Sequence, residues 1–107
     1  MLSGLWSAQF EAQGNKGAGV AVFVGGKIFG GDSAFIWSGT FQEQGDRLIG
    51  DVHVKNFEPS IQSVFGVNEY DLHIEGKIQG DKVTGVGTSP SLPGAKLNMT
   101  LTKRVSA

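Results

Sequence analysis

The sequence predicts an all-β domain, a small antiparallel up-and-down barrel of seven or eight strands with one short helical segment. Three observations carry that expectation. Apolar residues recur at every second position over most of the chain, the period of a strand with one buried face. The runs are short and are separated at close spacing by Gly, Asn and Asp turn signals. The 17 glycines are scattered between apolar runs and form no low-complexity tract. A chain of 107 residues is read as a single domain, 1–107.

In the first strand Trp6, Ala8 and Phe10 share one face, with Ser7, Gln9 and Glu11 on the other. Gly14-Asn15-Lys16-Gly17 reads as a hairpin turn. Gly19 to Val24 is the next strand, rich in β-branched residues. Gly25-Gly26-Lys27 turns again, and the short Ile28-Phe29 stops at Gly30-Gly31-Asp32. Ala34 to Phe41 places Phe35, Trp37, Gly39 and Phe41 on one face. After a turn at Gln44-Gly45-Asp46, Arg47 to Phe57 carries Leu48, Gly50, Val52 and Val54 inward. Pro59 can open a helical turn, so Ser60 to Phe65, closed by Gly66, is the one helical expectation. In Glu69 to Gln79, Tyr70, Leu72 and Ile74 alternate with Asp71, His73 and Glu75. A turn at Gly80-Asp81-Lys82 leads to a glycine-rich strand ending at Thr88. Ser89 to Gly94 is a loop, and Leu97, Met99 and Leu101 alternate in the last strand.

Gly39, Gly50, Gly85 and Gly87 fall on inward faces. They either leave an internal cavity or let the strands bend. A cavity would be lined by Trp6, Phe35, Trp37, Phe41 and Tyr70 and would suit a small apolar ligand. Seven Phe and two Trp, however, predict that most of so small an interior is filled.

The net charge of −1 gives no basic footprint, so direct nucleic-acid binding is not expected. Cysteine is absent, which excludes disulfides and thiolate metal sites. No run approaches the roughly 20 apolar residues of a membrane helix, and no leader pattern stands at the start, so a soluble, cytoplasmic protein is expected. Asp51-Val52-His53 and Asp71-Leu72-His73, with Glu75, are metal ligands by type. Their opposite faces are plainly apolar, so a solvated outer face with ordinary histidine titration and no metal is expected instead. There is no Gly-x-Ser-x-Gly elbow, and neither Gly17-Ala18-Gly19 nor Gly85-Val86-Gly87 leads into a helix that would hold a phosphate. Neither enzyme activity nor a cofactor is expected.

Two segments, Val20 to Val24 and Phe35-Ile36-Trp37, are apolar on both faces. With Val22 and Trp37 inward, Ala21, Phe23 and Ile36 lie outside and need a cover. A homodimer is the expected one; the 60–65 segment is the alternative.

Gly4-Leu5-Trp6, Gly19-Val20-Ala21-Val22, Gly30-Gly31-Asp32 followed by Phe35, Trp37, Gly39 and Phe41, then Ser63-Val64-Phe65-Gly66 and Leu72-His73-Ile74-Glu75-Gly76 occur in an order and spacing that resemble the GrlR family. These are small barrel regulators named for a repressor of type III secretion genes, and the resemblance runs over nearly the whole chain. It implies a calycin-like barrel with a short helix, a tendency to dimerise, and a non-enzymatic regulatory role through protein contact. The partner it implies is a transcriptional activator, met by an acidic hairpin whose family form is Glu-Asp-Glu-Asp. The equivalent here is Glu43-Gln44-Gly45-Asp46, which keeps only the outer two carboxylates. Gly4-Leu5-Trp6 is also similar to the Gly-x-Trp of lipocalins, which implies a cation from Lys103 or Arg104 on the indole. The expected function is therefore a regulator acting by protein contact, with a carrier of a small apolar molecule as the alternative.

Overall fold

The structure, a computed structural model, describes residues 2–58, 60 and 66–107. Eight strands follow one another: β1 (Gly4–Ala12), β2 (Asn15–Val24), β3 (Lys27–Gly31), β4 (Phe35–Gln44), β5 (Arg47–Asn56), β6 (Glu69–Gln79), β7 (Lys82–Thr88) and β8 (Lys96–Ser106). Each pairs antiparallel with the next, and β8 pairs with β1 to close the barrel. Outside β2, the alternation read from the sequence is the alternation of the barrel wall. No helix occurs among the described residues. The helical expectation over 60–65 falls, apart from Ser60, outside them.

The first turn is placed differently from the sequence reading. Ala12 pairs with Asn15, so the turn is Gln13-Gly14, both at positive φ (53° and 80°). Two such residues make the tight hairpin turn whose twist matches the strands, and Asn15 to Gly17 are thereby freed to extend β2.

The barrel has two unlike ends. One carries the two-residue turns Gly25-Gly26, Gly45-Asp46 and Gly80-Asp81 together with Leu2 and Ser106. The other carries the longer connections 32–34, 57–68 and 89–95. The tight end is packed shut. Leu2, Trp6, Phe23, Leu48 and Val83 are fully buried there. The Trp6 indole N–H donates to the Leu2 carbonyl at 2.7 Å. Phe23 meets Trp6 edge-on at 5.9 Å between centroids, and Phe41 meets Phe23 at 5.1 Å. Lys103 Nζ stands 5.8 Å from the Trp6 ring centroid. The cation is thus Lys103, while Arg104 Nε turns away to donate to Ser7 Oγ at 2.9 Å.

Strand β2 is inverted relative to the sequence expectation. Trp6 pairs with Ala21 and Gly4 with Phe23. Directly opposed residues share a face, so an inward Trp6 carries Ala21 and Phe23 inward with it. Both are core residues, 4% and 2% exposed, and not outer-surface ones. The outer residues of β2 are Val20, Val22 and Val24. Only Ile36 of the three proposed contact residues lies outside, at 51%. The pairs Val105–Leu5, Leu5–Val22 and Val22–Phe29 run as one apolar row around the outside of β8, β1, β2 and β3.

Candidate functional site

Above the packed end the barrel is hollow. A cavity of about 240 Å³ lies inside it, walled by Phe35, Trp37, Val52, Val54, Leu72 and Met99, with Tyr70, Asp32, Ser33 and Lys16 contributing polar groups. Of the described Phe and Trp residues, Trp6, Phe23 and Phe41 pack together at the tight end, Phe10, Phe35 and Trp37 stand at the cavity, and Phe29 and Phe57 lie exposed, so the aromatic residues do not fill the interior. Of the five predicted lining residues, Phe35, Trp37 and Tyr70 line the cavity. Trp6 and Phe41 do not: they belong to the packing around Phe23.

The four glycines expected to open or bend the interior do not line the cavity. A Cβ on Gly39 would strike the Asp51 carbonyl oxygen, and one on Gly85 would come within 2.7 Å of the Glu75 carbonyl oxygen. Those two permit close approach of neighbouring strands. A Cβ on Gly50 or Gly87 would meet Ile28 Cδ1 or Leu72 Cδ1 at 3.3 and 3.0 Å, so large side chains already fill that space. The open volume comes instead from small inward residues, Ala8, Ala21 and Ala34 among them. Glycines elsewhere set the aromatic wall. The Trp37 indole lies across Gly19 and Gly30 on adjacent strands, where any Cβ would collide with it.

Asp32 closes the polar corner. It follows β3, and its Oδ1 accepts the backbone N–H groups of Ala34 (2.9 Å) and Phe35 (2.8 Å). This is the local turn that Asp forms with the residues two and three ahead. Burial, and secondarily the Asp32 charge, push the Tyr70 hydroxyl up to about 12, so it stays protonated at any physiological pH. Asp32 was legible only as turn chemistry after Gly30-Gly31; nothing local in the sequence aims it at a cavity.

The two Asp-x-His motifs lie side by side on the outer face of β5 and β6, where Asp51 opposes His73 and His53 opposes Asp71. His53 Nδ1 is 2.8 Å from Asp71 Oδ1 and Nε2 is 2.6 Å from Glu69 Oε2. His73 Nδ1 is 2.8 Å from Asp51 Oδ1 and Nε2 is 3.1 Å from Glu75 Oε2. Glu75 also accepts from Arg47 Nη2 at 2.8 Å. The carboxylates thus bracket each imidazole separately. Among the described residues no three of His, Asp or Glu converge as a metal ligand set.

This geometry corrects the expectation of ordinary titration. An imidazole facing two acceptors satisfies both only as the imidazolium. Hydrogen bonds from Asp71 and then Glu69 raise the His53 pKa, and those from Asp51 and then Glu75 raise that of His73. A raised folded-state value stabilises the fold fully below the unfolded pKa of about 6.5, and that stabilisation is lost as pH rises through the raised value. Both side chains are substantially exposed, so water screens the effect. In an NMR titration, Asp71→Asn is expected to lower the His53 midpoint and leave that of His73 in place. Equal shifts at both histidines would contradict the separate bracketing.

The hairpin Glu43-Gln44-Gly45-Asp46 joins β4 to β5 by a two-residue turn with Gly45 at φ 63°. Glu43 Oε1 accepts the Leu2 backbone N–H at 3.1 Å, and the Asp46 carbonyl accepts Ile78 N–H at 2.6 Å. Two of its four members thus hold the tight end together.

The chain matches no protein-family model and no curated protein.

Proposed function

We propose that this barrel is a non-enzymatic binder of a small, largely apolar molecule, held in the interior cavity. The observation that carries this reading is the cavity itself, with aromatic and aliphatic walls and few polar groups, Asp32 and Tyr70 among them. A concave space of this size with mostly apolar walls and a few polar groups is the usual form of a small-molecule site. An engineered cavity of about 150 Å³ takes benzene, so this one suits a molecule of about ten non-hydrogen atoms. Titration calorimetry with 2-phenylethanol is expected to give one saturable site per chain and a raised melting temperature. The absence of both at millimolar probe would sink the reading.

A second reading, contact with protein, is favoured by a separate observation. Val20, Val24, Phe29, Ile36 and Val105 are each about half exposed, on β2, β3, β4 and β8, with β1 between β8 and β2. The occupant we propose is a second copy, because a two-fold dimer needs only one self-complementary patch. Sedimentation at micromolar concentration is expected to give about twice the chain mass, and Phe29→Lys to return the monomer. A monomeric parent protein would remove this reading. The likeness to GrlR-type regulators fits the closed barrel and this face. It gains less support at the acidic hairpin, where Glu43 is engaged within the chain.

A further inference from the structure

The polar corner of the cavity is not neutral, and its charge narrows what the cavity would hold. Asp32 is held in place by two backbone N–H groups, both on Oδ1. Among the described residues no donor is bonded to Oδ2. Five aromatic residues, Phe10, Phe23, Phe35, Trp37 and Tyr70, line the same space. The Asp32 stem and the far edge of the Trp37 indole lie side by side, since a Cβ on Gly19 would be 3.1 Å from Asp32 Cβ and 2.8 Å from Trp37 Cη2.

We propose that the cavity selects a small organic cation, a protonated amine whose carbon skeleton fills the apolar part and whose ammonium lies between the Asp32 carboxylate and the aromatic wall. The proposal rests on the ligand-binding reading and names the chemical class of the ligand. Aromatic faces carry negative quadrupole charge and attract cations, more strongly where water is excluded. A carboxylate beside low-dielectric walls interacts more strongly than one in open water. An anionic ligand would meet both groups with the wrong sign. Lys16 is the one cation among the described lining residues. It neighbours the inward Gly17, so strand alternation points its side chain away from the interior. That Asp32 contributes to the raised ionisation of the Tyr70 hydroxyl agrees with the carboxylate and the phenol sharing one corner.

Three probes of similar shape separate the outcomes: 2-phenylethylamine, 2-phenylethanol and phenylacetate, each titrated calorimetrically at neutral pH. The amine is expected to bind at least tenfold more tightly than the alcohol, and phenylacetate most weakly. In Asp32→Asn the amine and the alcohol should bind within about twofold of each other. Asparagine keeps the oxygen that caps Ala34 and Phe35, so an unchanged melting midpoint would confirm that the turn survives. The comparison within the parent protein needs no variant. If the alcohol binds the parent as tightly as the amine, cation selection is overturned while the ligand-binding reading stands. If none of the three binds, the ligand-binding reading fails and this proposal with it.

Discussion

Trp6→Ala is expected to cost about 3–5 kcal/mol and to lower the melting temperature by roughly 15–30 °C. Trp6 is 1% exposed, carries Phe23 on its edge and Lys103 over its ring, and donates to the Leu2 carbonyl. Removing it takes away the largest side chain of the packed end and leaves that carbonyl without its donor. A loss of this size is a large part of the about 5–15 kcal/mol that holds a typical domain together. Trp6→Phe keeps most of the apolar volume and should cost far less, about 1–2 kcal/mol for the stranded carbonyl and reduced packing. Lys103→Met should cost only about 0.5–1 kcal/mol, the scale of an exposed cation–π contact. Chemical denaturation of the three variants would rank these contributions. A cost below about 1 kcal/mol for Trp6→Ala would mean that the packed end does not anchor the barrel.

The second large effect is on binding. Ala8 is buried and lines the cavity, so Ala8→Leu places three more carbons into the space a ligand would use. Affinity for 2-phenylethanol should fall at least tenfold. Stability should change far less, because the added methylenes enter a void; overpacking of a full core typically costs about 1–3 kcal/mol. Unchanged affinity would place the probe on the outer apolar face instead. Paired loss of affinity and of several kcal/mol of stability would mean that the side chain has distorted the wall.

The architecture was legible because alternation and turn residues agree along most of the chain. Asp51 to Lys55 and Glu69 to Glu75 alternate cleanly between apolar and charged or histidine residues, so only one orientation buries the apolar face. Val20 to Val24 has no polar residue to break the symmetry. Its orientation is decided by register with β1, where the bulky Phe10 opposes Gly17 and Trp6 opposes Ala21. Large against small across the ladder was the available signal, and it needs the turn placed at Gln13-Gly14 to be read. The cavity site was half legible. Phe35, Trp37 and Tyr70 follow from the inward face. How much room they leave depends on the summed volume of eight strands, which no local pattern states. Asp32 lies in a turn after β3, three ladders away from Tyr70 on β6, and only the curvature of the sheet puts both at one cavity.

Seven of the eight strand ladders join neighbours in the sequence. The ladder between β1 and β8 joins residues separated by almost the whole chain, Gly4 with Ser106 and Glu11 with Asn98. Closing a loop of that length costs about 2 kcal/mol more in chain entropy than closing a ten-residue hairpin. The meander of β1 to β8 can therefore assemble hairpin by hairpin, and the seam is the late and least local step. Lys103 on Trp6 and Arg104 on Ser7 both cross that seam, each linking β8 to β1 by side chains as well as backbone. They act as a clasp at the one junction where an open ribbon becomes a container, so the barrel's capacity to hold anything depends on the residues that fasten its two outermost strands.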